Sequence, residues 1–212
     1  MGFFDRIKHK EQDPVPTQSQ NFNSTSQQSV GILNLNKGDI LDLTKVDEYL
    51  NNVRVSAGWD VNAYGQDYDL DLCAILLNEV NKVEYCVYYA DKRYKGIRLD
   101  KDNLTGEGEG DDENIFVNLN KIPSSVSRIV FNVVIYRGAE KRQTLGNVKN
   151  AYVRLVDTER GEKEICRYSL SEDGGNNTAV EFAELVRTES GWQFHAIGNY
   201  MRANISSLCN QY

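Results

Sequence analysis

The chain has 212 residues, with 24 Lys plus Arg against 31 Asp plus Glu and a formal charge of -7. That length is enough for one domain with a real core, and the acidic balance excludes the net basic face that a nucleic-acid partner requires. Its longest apolar runs are strand-sized, well short of the roughly 20 residues of a membrane-spanning helix.

Residues 1–10 place Phe3, Phe4 and Ile7 at helical spacing with Arg6, Lys8 and Lys10 between them. The pattern reads as a short amphipathic segment suited to peripheral contact with a membrane or a partner, or as a frayed terminus, because so short a helix is marginal in water. It has no uncharged apolar stretch and so does not read as a signal peptide. Residues 11–30 are rich in Gln, Ser, Asn and Thr and read as a flexible polar linker. From Gly31 to Tyr200 the composition changes. Short β-branched and aromatic runs recur at 53–57, 70–77, 83–89, 115–119, 128–136, 151–156, 165–170, 179–186 and 192–197, with Gly, Asn and Asp between them. Many short strands bounded by turn residues predict an all-β, two-sheet β-sandwich with few short helices. Only 180–186 would also pass for a short helix. Residues 201–212 read as a C-terminal extension. Cys73, Cys86, Cys166 and Cys209 are scattered, with no Cys-x-x-Cys pair and no nearby histidine. A zinc site is thereby disfavoured, and free thiols in a reducing cytoplasm are expected.

Two acidic segments carry the chemistry. Asp60 and Asn62 precede Asp67-Tyr68-Asp69-Leu70-Asp71-Leu72, in which period-two geometry puts Asp67, Asp69 and Asp71 on one strand face. Like charges in such a row repel and call for a counter-charge. Asp102-Asn103-Leu104-Thr105-Gly106-Glu107-Gly108-Glu109-Gly110-Asp111-Asp112-Glu113 holds six acids and no base. Hard divalent cations take carboxylate, amide and carbonyl oxygens, about six to eight of them for calcium. Either segment alone is an ordinary solvated loop or a protected strand edge; together they favour a metal. The Asp67-x-Asp69-x-Asp71 spacing opens like an EF-hand loop, but Leu72 stands where that loop needs glycine and Asn78 where it needs glutamate.

In this order, Lys37-Gly38, Gly58-Trp59-Asp60, Tyr68-Asp69-Leu70-Asp71, Asp102-Asn103-x-Thr105-Gly106-x-Gly108-x-Gly110-Asp111-Asp112-Glu113 and Asn150-Ala151-Tyr152-Val153-Arg154 resemble the TerD family of tellurite-resistance and stress-response proteins. The resemblance runs over residues 31–200. It implies a sandwich with calcium (Ca2+) held in acidic loops at one end, and it carries over as metal-ligand candidates Asp60, Asn62, Asp69, Asp71, Asp102, Asn103, Asp111, Asp112 and Glu113. Arg137-Gly138-Ala139-Glu140 departs from the family's His-Asp-Ala pattern.

The function expected is that of a calcium-dependent, non-catalytic binding or scaffold protein of a bacterial stress response, with other Ter-type proteins as partners and the cytoplasm as its place. The alternatives are calcium-bridged attachment at the inner face of the membrane, helped by residues 1–10, and a metal-dependent hydrolase. Against an enzyme, the only imidazoles are His9, in the tail, and His195, which alternates with Phe194 and Ala196 and reads as a core or sheet-surface residue. No nucleophile-elbow, Walker or Rossmann pattern is present.

Overall fold

Alternating apolar residues build most of a computed structural model that describes residues 32–60, 68–100, 110–169 and 174–212. In chain order its strands are β1 (Leu33–Leu35), β2 (Ile40–Asp42), β3 (Asn52–Asp60), β4 (Leu70–Asn78), β5 (Val83–Val87), β6 (Arg93–Tyr94), β7 (Ile97–Leu99), β8 (Glu113–Asn118), β9 (Val126–Ile135), β10 (Lys149–Asp157), β11 (Lys163–Ser169), β12 (Ala179–Thr188) and β13 (Gly191–Met201). Among the described residues three one-turn α-helices accompany them: α1 (Leu43–Val46), α2 (Gly138–Lys141) and, after the last strand, α3 (Ile205–Cys209). Each of the nine runs read from the sequence overlaps a strand, and 180–186 lies within β12.

The strands form two sheets, ordered β1-β11-β10-β3-β8-β7-β6 and β2-β13-β12-β9-β4-β5. β1 pairs with β11 in parallel; the other pairings are antiparallel. Between the sheets lies one core, with Val55, Ile115, Val117 and Leu155 from the first meeting Leu72, Leu76, Phe131, Phe182 and Phe194 from the second. Burial of this apolar area is the main stabilising term. β4 is buried along eight of its nine residues. Its inner row joins the main core, whereas Cys73, Ile75 and Leu77 face outward into a second cluster with Val130, Val134, Ala179 and Leu208. A strand covered on both faces reads as a continuous apolar run, as Leu70–Leu77 does. The cover is the segment after β13, which contributes Leu208, Ile205, Cys209 and Tyr212. Cys86 and Cys209 form a disulfide, while Cys73 and Cys166 are free and buried. The expectation of four free thiols is corrected there: sequence spacing gave no sign that two cysteines 123 residues apart meet where α3 crosses β5. No described helix is long and apolar enough to cross a membrane, and residues 1–10 lie outside the described residues.

On the outer face of the second sheet, His195 is a sheet-surface residue. Its Nδ1 lies 3.2 Å from Glu184 Oε1, and its Nε2 lies 3.2 Å from Gln193 Oε1. Arg128 donates from Nε and Nη2 to Glu184 Oε2 at 2.9 and 2.5 Å. Burial opposes ionisation of Glu184, but the hydrogen bonds from His195 and Arg128 outweigh it and hold the carboxyl below its usual range. Since the folded pKa lies below the unfolded value near ~4.3, this stabilisation is fully present above that value and is lost as pH falls through the folded pKa. In urea titrations, the stability gap between the native protein and Glu184→Gln is expected to be widest at neutral pH and to close as acid protonates the folded carboxylate. A gap that stays constant with pH would show that the carboxylate's charge contributes nothing.

Candidate functional site: the acidic end of the sandwich

Strand pairing gathers the acids. Ala57 pairs with Glu113 and Lys149 with Asp60 in the first sheet, and Leu70 pairs with Ile135 in the second. The end of β3 and the starts of β4, β8 and β10 therefore lie at one end of the sandwich. Of the ligand candidates, this end brings together Asp60, Asp69, Asp71, Asp111, Asp112 and Glu113. Asn62, Asp102 and Asn103 lie outside the described residues, as does Asp67.

Three consecutive acids point three ways. Glu113 opens the inward-facing row of β8 and is 1 % exposed; its Oε2 accepts from Leu72 N across the gap between sheets, at 2.5 Å. Leu72 lies beyond the last pairing of β5 with β4, which starts at Ala74, so this backbone donor is met by a carboxylate instead of a strand. Asp112 treats β3 in the same way: its Oδ2 accepts from Trp59 N at 2.9 Å, while its own amide donates to Ala57 O. Asp111 turns to the outer face. Arg154 grips it bidentately, Nε to Oδ1 and Nη2 to Oδ2, both at 2.7 Å. Arg54 reaches Oδ2 at 3.4 Å, and the Tyr152 hydroxyl lies 3.1 Å from Oδ1. Both Asp111 oxygens thus face positive charge, a strong charge-assisted geometry.

On β4, Asp71 is 3 % exposed, and Asp69, just before the strand, is half-buried. The Cys73 thiol is pushed up by burial first, then by the negative charges of Asp71 and Glu113. Those two carboxylates, one from each sheet, therefore act on a single short stretch of β4. Asp60 is exposed and accepts from Asn150 Nδ2 at 2.5 Å. Asn150 has φ 50°, a left-handed conformation that asparagine tolerates, and it sits in the bulge where β10 slips against β3. Among the described residues, no three His, Cys, Asp or Glu side chains converge closely enough to form a metal site by themselves. The adjoining apolar cavity, walled by Trp59, Leu70, Leu145 and Tyr200, holds about 30 Å³. That is room for a water, which would satisfy Trp59 Nε1, without a hydrogen-bond partner among the described residues, and too little for a substrate.

The residues that sequence reasoning missed are the ones that hold the acids in place. Tyr152 lies across the ladder from Gly58 and is fixed by its contacts with Gly110 O and Asp111 and by the Arg167 guanidinium 4.1 Å over its ring. Burial, then the Asp111 carboxylate, push its hydroxyl above the usual range, so it stays a donor. A Cβ on Gly58 would come within 2.5 Å of that ring. Gly58→Ala is accordingly expected to cost about 1–3 kcal/mol by displacing Tyr152, measured by chemical denaturation; an unchanged midpoint would show that the ring moves freely. The signal available in the sequence was the Asn150-Ala-Tyr-Val-Arg154 segment, whose ends grip Asp60 and Asp111.

A two-sheet sandwich with acidic strand ends gathered at one pole is the class of protein that this fold and site define. Residues 32–212 match the family model of the TerD domain, and the chain belongs to that family. It is 39 % identical over 188 residues to the uncharacterised protein YceE of Bacillus subtilis (strain 168), covering 85 % of this chain and 97 % of that relative. It is 38 % identical over 186 residues to the tellurium resistance protein TerD of Serratia marcescens, covering 85 % and 96 %. General stress protein 16U of Bacillus subtilis is 38 % identical over 187 residues, with 85 % and 96 % covered. Among solved structures, SAV2460, a protein of unknown function, superimposes with a TM-score of 0.61 at 26 % identity, over 76 % of this chain and 95 % of that one. A Streptomyces coelicolor A3(2) homologue of the telluride resistance protein TerD gives the same TM-score and coverage at 23 % identity, which bears on the fold alone.

Proposed function

We propose that this protein is a calcium-binding, non-catalytic scaffold of a tellurium-resistance or stress response, acting in the cytoplasm on other proteins of that response. The observation that carries the reading is the pair of nearly fully buried carboxylates, Asp71 and Glu113, brought from opposite sheets to either side of Leu72. Burying ionised carboxylates costs several kcal/mol each unless positive charge or hydrogen bonds compensate. A divalent cation supplies that compensation, and the donors present are the hard oxygens calcium takes. In this reading Asp69, Asp71, Asp112 and Glu113 each supply at most part of a shell, since no three of them converge closely enough to form one alone, with Asp60 at the rim. Asn62, Asp102 and Asn103 remain ligand candidates on sequence alone. Asp111, gripped by arginine, serves as a structural bolt. A bound ion would tie the start of β4 to the start of β8 and so fix the surface offered to a partner. Scaffolding is preferred to catalysis because the one described imidazole, on His195, is engaged by Glu184 and Gln193. Calorimetry of the EDTA-stripped protein tests the reading: saturable calcium binding, lost in Asp71→Asn, is expected, and no heat with either protein would overturn it.

A further inference from the structure

We propose that the Cys86–Cys209 disulfide is a redox-controlled clasp that keeps the C-terminal segment, residues 202–212, closed over the outer face of the second sheet. The segment is weakly held apart from the bond. α3 has five residues and one buried side chain, Leu208, and a helix so short has no stability of its own. Its capping box, made by Asn204 and Ser207, is internal and does not tie it to the sheet. The polar ties are few. Thr178 Oγ1 donates to Ala203 O and accepts from Ala203 N at 2.8 and 3.1 Å, Arg202 Nε reaches Asn176 O at 3.1 Å, and the Tyr212 hydroxyl meets Glu181 at 3.1 Å. Cys86 lies on β5, the edge strand of its sheet, so the covalent bond joins a mobile-sized cover to the rim of the face it covers.

The covered face is not a plain apolar core. Between Val130 and Val134, and paired with Cys73, the outward row of β9 carries Asn132. It is 0 % exposed, and its Oδ1 has no hydrogen-bond partner among the described residues. A buried unmet acceptor destabilises the closed arrangement and would be hydrated in an open one. The closed state is thus disfavoured at its centre and clasped at its edge, a combination suited to opening.

The chemistry is thiol–disulfide exchange. A thiolate from a dithiol reductant attacks one sulfur of the protein disulfide, forming a mixed disulfide and releasing the other cysteine as a thiolate, which takes a proton. The second reductant thiol then displaces the remaining cysteine. The protein gains two electrons and two protons, and the reductant leaves as its own disulfide. Closing runs the same steps in reverse, with a low-molecular-weight disulfide such as oxidised glutathione as oxidant. Opening exposes Ile75, Leu77, Val130 and Val134 together with the Cys73 thiol.

Hydrogen exchange by mass spectrometry on the full chain tests this, comparing protein treated with oxidised glutathione, the same protein reduced with dithiothreitol, and Cys86→Ser. Exchange in peptides covering residues 203–212 is expected to rise at least ~10-fold on reduction and equally in Cys86→Ser, with β3 and β10 unchanged. Trypsin is expected to cut after the exposed Arg202 faster in the reduced form. Unchanged exchange of 203–212 would overturn the clasp. So would a uniform rise across all strands, which would mean global loosening, or Cys86 and Cys209 remaining thiols after oxidised glutathione.

Discussion

Stripped of metal and titrated with calcium, the protein is expected to melt about 5–11 °C higher once free calcium reaches a hundredfold excess over its dissociation constant. A ligand that binds only the folded state adds about 2.7 kcal/mol at that excess, and a domain of this size shifts by about 2–4 °C per kcal/mol. Magnesium should do much less, because it demands a small octahedral shell and gives up its waters reluctantly. Asp71→Asn and Glu113→Gln are the informative variants. Glu113 also caps Leu72 N, so its removal lowers the melting temperature with no metal present. The relevant quantity is therefore the difference between calcium and EDTA for each variant, which should shrink towards zero in both. A wild-type curve that calcium leaves in place would mean that hydrogen bonds alone compensate the two buried carboxylates. The family's fold would then stand without a metal role for this chain.

The long strands were legible because period-two alternation is a local property. Glu113, Ile115 and Val117 of β8 alternate with half-buried neighbours, and the pattern needs no knowledge of what lies opposite. β1, β2, β6 and β7 have two or three residues each, too few for any period to show. β4 gave a strand signal without saying why both faces were apolar, because its outer cover comes from the far end of the chain. The acidic end was legible as composition but not as wiring. Asp69, Asp71 and Asp111 through Glu113 lie at one pole, the end at which the family resemblance implied acidic loops. What the sequence could not tell is that Asp111 meets guanidinium groups 43 and 57 residues away. Such a partner is set by the register of β10 on β3 and of β3 on β8, and no spacing along the chain encodes that register.

That wiring gives the second large expectation. Asp111→Ala should destabilise the protein by about 3 kcal/mol, at the lower end of the range for breaking a buried pair, because Arg154 and Arg54 keep 23 % and 16 % side-chain exposure and water can reach them. The melting temperature should fall by about 6–12 °C. The fall should be the same in EDTA as in calcium, which separates a structural bolt from a ligand; a loss seen only with calcium present would make Asp111 a metal ligand after all. Removing both partners sharpens the test. The carboxylate helps to neutralise two guanidinium groups on a half-buried sheet face, and Glu164, the other partner of Arg154, keeps Arg167, so Asp111→Ala combined with Arg154→Met should be more stable than Asp111→Ala alone. Replacing a buried ion pair with apolar groups is often close to neutral, and residues in direct contact are expected to show non-additive effects. A double variant no better than the single one would shift the weight of the interaction to Arg54, which also pairs with Glu162. The Arg54→Met background would then be expected to show the rescue instead.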